Sequence, residues 1–82
     1  MENNVTKYVN SARFPIRFDR LHPGSLFTIH AEPSRGIRKS NDQRVYRKAQ
    51  DHEGFYATVE GNTEVPACLM PFDLVQPVKA QR

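Results

Sequence analysis

The chain has 82 residues, of which 38% are hydrophobic and 26% are charged, and a formal net charge of +3. This size allows one small domain that buries roughly 60% of the surface exposed by its unfolded chain, so a deep catalytic cleft with a supporting shell is not expected. No apolar run approaches the ~20 residues of a membrane-spanning helix, the N-terminus is too polar for a signal peptide, and the single cysteine, Cys68, excludes an internal disulfide.

The first third of the chain consists of a polar segment and a turn. Residues 1–12 hold three asparagines and few apolar groups, which predicts a flexible N-terminal extension. Pro23-Gly24 is a strong turn signal, because proline presets its own φ and glycine allows a positive φ at the next position. The first strand is therefore expected at 25–31, with Phe18 and Leu21 covering one end of the core.

Four further strands are expected after a polar, basic loop at 32–42. They are predicted at 43–50, 55–60, 64–70 and 74–80, and Pro71-Phe72-Asp73 is predicted to form a helical turn before the last one. Short strands separated by turn signals every 8–12 residues are typical of all-β barrels and sandwiches. We predict a single domain over residues 13–80, folded as a small five-stranded SH3-like β-barrel.

The predicted core follows the apolar positions of these strands, with three residues capping it. Alternation along irregular strands leaves two or three of these assignments open. The predicted members are Leu26, Ile29, Val45, Phe55, Ala57, Val59, Val65, Leu69, Leu74, Val75 and Val78, capped by Phe18, Leu21 and Phe72.

Three segments carry a resemblance to known proteins: "FDRLHPGSLF" at 18–27, "VYRK" at 45–48 and "FDLVQPV" at 72–78. Together they resemble small bacteriophage-type proteins of unknown function with an SH3-like barrel. In that class the first segment opens the barrel, the second is its second strand and the third closes it. The resemblance implies a fold and a phage-type accessory role in the host cytoplasm, and it implies no catalytic residue.

Positive charge is concentrated in residues 35–48, which contain six cations against Asp42 alone. If the second strand alternates regularly, Arg44, Tyr46 and Lys48 share an exposed face on which a ring lies between two cations. Bases could then stack on the ring while cations contact phosphates. The predicted contact residues for nucleic acid or another partner are Arg35, Arg38, Lys39, Arg44, Tyr46 and Lys48.

Two other interpretations of this basic stretch remain open. It could dock on an acidic surface of a host protein, since arginine and tyrosine also dominate protein interfaces, or it could be an ordinary solvated face. The same alternation points Arg47 inward, where it would require a strand bulge or a pair with Asp51 or Glu53.

Catalytic and metal-binding patterns are lacking in the sequence. No phosphate-binding glycine loop, nucleophile elbow or His-Glu-x-x-His pattern occurs, and His22, His30 and His52 are dispersed. Cys68 lies in an apolar stretch and is expected to be a small buried hydrophobe. We therefore expect a cytoplasmic, non-catalytic protein with no cofactor, no metal and no membrane contact. Edge strands leave the oligomeric state open.

Overall fold

The structure is a computed structural model that describes residues 7–49, 56–59 and 62–81. The described part of the chain consists of strands, turns and two short 3₁₀ turns, with no α-helix, so the all-β prediction is confirmed. The strands are β1 (Tyr8–Asn10), β2 (Ile16–Arg17), β3 (Leu26–Ala31), β4 (Tyr46–Lys48), β5 (Tyr56–Val59), β6 (Asn62–Cys68) and β7 (Leu74–Ala80), and the 3₁₀ turns are Phe18–Arg20 and Pro33–Arg35.

The seven strands of the described residues pair antiparallel in one sheet. The order along it is β1-β7-β3-β4-β5-β6, and β2 pairs with β7 beside β1. The five predicted strands correspond to β3–β7, and the last of them pairs with the first, as the barrel prediction requires. Among the described residues the sheet is not closed as a barrel, because the hydrogen-bonded path runs from β1 to β6 and β6 pairs only with β5.

The predicted turns differ in their outcome. At Pro23-Gly24 the glycine has a φ of 84° and the Ser25 amide donates to the His22 carbonyl at 3.1 Å, so this turn is confirmed. Before β7, the Asp73 amide donates to the Met70 carbonyl at 3.0 Å, which closes a simple turn where a helical turn was predicted.

The N-terminal segment is more ordered than its composition predicts. Residues 8–10 pair with β7, the Gln81 amide donates to the Lys7 carbonyl at 2.7 Å, and the Gln76 side chain donates to the Ala12 carbonyl at 2.8 Å. Residues 8–10 therefore form a strand of the sheet, and residues 7, 11 and 12 are hydrogen-bonded beside it, since backbone pairing does not require apolar side chains. Residues 1–6 of the predicted flexible extension lie outside the described part, and the division at residue 13 stays a prediction.

The centre of the core is a stack of three aromatic rings from Phe18, Phe27 and Tyr46. Each residue is at most 2% exposed. The Phe18 and Phe27 centroids lie 5.5 Å apart in an edge-to-face arrangement, and Phe27 stacks on Tyr46 at 5.6 Å with an interplanar angle of 18°. Such pairs contribute about 0.5–1.5 kcal/mol beyond the burial of their area.

Seven of the eleven predicted core residues whose side chains are described are confirmed, and one of the four exceptions follows from the alternation of β3. Its core face carries Phe27, Ile29 and Ala31, so Leu26 lies on the other face and is half-buried. Phe27, Ala31 and Tyr46 were missed, and Phe72, a predicted cap, is 48% exposed. Val45 and Leu74 are half-buried, and the side chains of Phe55, Val59 and Val65 lie outside the described part. The confirmed members are Phe18, Leu21, Ile29, Ala57, Leu69, Val75 and Val78.

Replacing Phe27, the middle ring of the stack, tests how much the stack contributes to the free energy of unfolding. Phe27→Ala removes contacts to both neighbouring rings and leaves a cavity, so it should lower the free energy of unfolding by about 3–5 kcal/mol. Phe72→Ala, at a half-exposed ring, should change it by less than about 1 kcal/mol. Urea denaturation of both variants measures the difference, and equal losses would contradict the assignment of Phe27 to the core.

Candidate functional site

Strand β4 has the opposite orientation to the one predicted. Its register pairs Tyr46 with Phe27 of β3 and Lys48 with Ala57 of β5, and both partners face the core. Tyr46 and Lys48 are therefore buried, at 2% and 5% exposure, and Arg47 points outward. The predicted exposed face of Arg44, Tyr46 and Lys48 was wrong, because tertiary pairing with Phe27 determines which face of β4 is buried.

Buried Lys48 holds the first 3₁₀ turn against the core. Its Nζ donates to the Phe18 carbonyl at 2.8 Å and to the Leu21 carbonyl at 2.6 Å, and it lies 4.6 Å from the centroid of the Phe18 ring. Burial lowers the pKa of this ammonium group, and the charge of Asp19 opposes that effect. These contacts make Lys48 a structural residue and remove it from the candidate surface.

The predicted inward orientation of Arg47 was wrong as well. The β3–β4 register is continuous at this position, where Arg47 lies opposite Leu26. The exposed guanidinium group donates through Nη1 to the Gly24 carbonyl at 2.8 Å, which ties β4 to the Pro23-Gly24 turn. The suggested partners Asp51 and Glu53 lie outside the described residues.

Asp42 organises the end of the basic loop. Tyr46 donates its hydroxyl to Asp42 Oδ2 at 2.6 Å, and Arg44 donates through Nε to Oδ1 at 3.1 Å and through Nη2 to Oδ2 at 3.0 Å. The Arg44 guanidinium carbon also lies 5.5 Å from the centroid of the Tyr46 ring. One carboxylate thus joins an exposed cation to the buried ring stack.

The electrostatics of this cluster follow from the same contacts. The hydrogen bonds from Arg44 lower the pKa of Asp42 to about 2, with a further contribution from the Tyr46 hydroxyl and opposition from partial burial. Burial raises the pKa of Tyr46 to about 12, and its hydrogen bond to the Asp42 carboxylate adds to the shift. Around neutral pH the cluster therefore consists of a carboxylate, a guanidinium and a neutral phenol.

The start of the basic loop is a tight, internally bonded turn. The Glu32 amide donates to the Ile37 carbonyl at 2.9 Å and the Ile37 amide donates to the Glu32 carbonyl at 3.0 Å. Gly36 closes the turn with a φ of 73°, a conformation that other residues rarely adopt. The Glu32 carboxylate lies 3.5 Å from the Arg35 guanidinium and is itself nearly buried.

A buried carboxylate fixes this turn to the base of β7. Asp73 is 1% exposed, and its side chain accepts hydrogen bonds from the Ser34 hydroxyl at 2.7 and 2.9 Å, from the Ser34 amide at 3.2 Å and from the Met70 amide at 2.9 Å. Sequence reasoning missed this contact, because 39 residues separate its partners. The only local signal was the position of a polar aspartate between apolar residues at the start of a strand.

Within residues 32–49 the exposed charged side chains are all cations. Within residues 32–49 the only carboxylates are Glu32, which is buried, and Asp42, which is half-buried, and both pair with arginines of the same segment. No salt bridge or side-chain hydrogen bond of Arg38 or Lys39 is found within the described residues. The exposed cations of the segment are Arg35, Arg38, Lys39, Arg44 and Arg47.

Four of the six predicted site residues are therefore exposed and two are buried. Arg35, Arg38, Lys39 and Arg44 are exposed, whereas Tyr46 and Lys48 are buried, and Arg47 is exposed although it was predicted to point inward. We call the five exposed cations of residues 32–49 the basic surface. It lacks the exposed aromatic platform that the sequence predicted.

Over residues 7–49, 56–59 and 62–81, no group of three or more His, Cys, Asp or Glu side chains is arranged to hold a metal ion. Nor does this part of the chain contain a helix of the length and apolarity needed to cross a membrane. Cys68, expected to be buried, is exposed.

Comparison of the chain with protein-family models, with curated proteins and with solved structures gave no match.

The Asp42 cluster predicts a specific loss of stability in acid. A carboxyl group whose folded-state pKa lies below its unfolded value stabilises the fold above about pH 4, and this contribution is lost as the pH falls toward 2. Urea midpoints measured from pH 5 to about pH 2 should therefore fall more steeply for the wild type than for Asp42→Asn. Parallel pH profiles would show that Asp42 is not ionised and paired in the folded protein.

The Ser34–Asp73 contact predicts a local effect on the turn. Ser34→Ala removes the hydroxyl donor from a buried carboxylate and should cost about 1–3 kcal/mol of unfolding free energy. Amide hydrogen exchange at Gly36 and Ile37 should accelerate, because the turn loses its attachment to β7. Ser11→Ala, at an exposed serine, is the control and should leave both measurements nearly unchanged.

Proposed function

We propose that this protein is a non-catalytic nucleic-acid-binding protein whose contact surface is the basic surface formed by Arg35, Arg38, Lys39, Arg44 and Arg47. The observation that carries the proposal is the segregation of charge in residues 32–49. The cations of this surface are exposed, while Glu32 and Asp42 are held in internal contacts. A polyanion therefore meets positive charge without an exposed carboxylate of the same segment to repel it.

The mode of binding differs from the one expected for a stacking platform. Tyr46 lies between Phe27 and the Arg44 guanidinium and is 2% exposed, so it cannot receive a base without breaking the core. Binding then rests on phosphate contacts, which carry no sequence information. We propose weak binding that tolerates both single- and double-stranded DNA and RNA.

The wider role is part of the same proposal. The segments at 18–27, 45–48 and 72–78 resemble small phage-type proteins with an SH3-like barrel, which supports an accessory role in the cytoplasm of a host cell. The order of β3–β7 within the sheet is compatible with that fold.

A salt titration tests the nucleic-acid proposal. Binding of a labelled duplex and a labelled single strand should weaken steeply with salt, because each neutralised phosphate releases counterions. With about four phosphates contacted, the affinity should fall roughly 100-fold from about 50 to 200 mM salt. Fluorescence anisotropy measures it, and an absence of binding to any nucleic acid at low salt would overturn the proposal.

A matched pair of charge variants locates the surface. Arg38→Gln with Lys39→Gln removes two exposed cations that have no salt bridge within the described residues, and it should weaken binding and lower the salt slope by about two. Lys7→Gln with Lys79→Gln removes the same charge at the opposite end of β7 and should have a much smaller effect. Equal losses in the two variants would mean that net charge alone, without a defined surface, causes binding.

A further inference from the structure

Beside the basic surface lies an apolar hollow of about 510 Å³. It is formed where the turn of residues 32–37 meets the end of β3 and the start of β7. Its floor and walls are aliphatic or backbone groups, and one cation stands at its rim. The lining residues are Ala31, Pro33, Gly36, Ile37, Arg38 and Leu74.

Backbone groups of three lining residues, Pro33, Gly36 and Ile37, have hydrogen-bond partners inside the protein. The Gly36 amide donates to the Pro33 carbonyl at 3.1 Å, and Ile37 exchanges both of its backbone hydrogen bonds with Glu32. A nucleobase placed here would bury polar edges against groups that are already paired, which costs free energy. An apolar side chain carries no such cost, so the lining favours a hydrophobic occupant.

The rim defines the charge of the chain that carries this occupant. Arg38 is exposed at the edge of the hollow, and its exposed neighbours Arg35 and Lys39 are cations as well. Within the described residues, the Arg38 side chain has no carboxylate partner. Carboxylates next to the apolar side chain would therefore complement the rim, whereas a basic segment would be repelled.

The walls of the hollow are held in place before any ligand binds. Ser34, within the turn, donates to buried Asp73 at 2.7 and 2.9 Å, and Asp73 directly precedes Leu74 of the lining. The Glu32–Ile37 bridge closes the other side of the turn. A site that is already ordered loses less conformational entropy on binding.

We propose that this hollow binds one large apolar side chain from an acidic segment of a partner protein, with a neighbouring carboxylate of that segment paired to Arg38. The hollow would take an apolar side chain, whereas the proposed nucleic-acid contacts are to phosphates. The two sites nevertheless share the Arg38 and Lys39 cations. Nucleic acid and such a segment should therefore compete.

Titration of the ¹⁵N-labelled protein with short synthetic peptides tests this site. The peptide Glu-Asp-Phe-Asp-Glu should give saturable shifts at the amides of Gly36, Ile37 and Leu74. Its alanine analogue, Glu-Asp-Ala-Asp-Glu, should bind at least about tenfold more weakly, because it lacks the apolar side chain. Lys-Arg-Phe-Arg-Lys should produce no saturable shift there, because the rim repels it.

Protein variants separate the apolar and the charged contributions. Ile37→Ser should lower the affinity for the phenylalanine peptide until it approaches the affinity for the alanine analogue. Arg38→Gln should lower the affinity for both acidic peptides. Phe72→Ser, at a half-exposed apolar residue outside the lining, is the matched control and should bind like the wild type. If Ile37→Ser does not fold, the Arg38→Gln result and the peptide pair still decide the question.

Three outcomes would overturn the proposal. Equal affinity for the phenylalanine and alanine peptides would reduce it to non-specific charge attraction. Shifts confined to residues away from the lining would place the peptide elsewhere. If a single-stranded oligonucleotide gives saturable shifts at the Gly36 and Ile37 amides and the peptides give none, the hollow would be assigned to an unpaired base. If the protein binds the phenylalanine peptide but no nucleic acid, only the nucleic-acid proposal is contradicted.

Discussion

The stack of Phe18, Phe27 and Tyr46 is the interaction on which the described structure depends. It joins three distant segments: the first 3₁₀ turn, the first long strand and the strand after the basic loop. A cation stands at each end, Lys48 beside Phe18 and Arg44 beside Tyr46. In a domain with so little interior, three buried rings provide a large share of the apolar area that can be removed from water.

The stack also determines the shape of the basic loop. The Tyr46 hydroxyl leaves the core at the point where Asp42 can accept its hydrogen bond, and Asp42 then holds Arg44. At the other end of the loop, Asp73 holds Ser34. The basic loop has few apolar groups to bury and therefore forms no core of its own. Hydrogen bonds to Asp42 and Asp73 hold it in place instead.

Charge segregation follows from the same arrangement. Glu32 and Asp42 hold the loop in shape, and their engagement leaves the surrounding cations as the exposed charges. We propose that these cations attract polyanions with little sequence preference. In the same proposal the hollow beside Arg38 adds shape and hydrophobicity, by which one acidic partner would be distinguished from another.

The sequence by itself determined the all-β class, the Pro23-Gly24 turn and the bounds of β7, because φ preferences and strand formers act locally. It also located the excess of positive charge. Only the tertiary structure decided which face of β4 is buried, since a shift of one residue in register exchanges the two faces and Phe27 fixes that register across 19 residues of chain. This one long-range contact buries Tyr46 and Lys48 and turns Arg47 outward, which changes a predicted stacking platform into a purely basic surface.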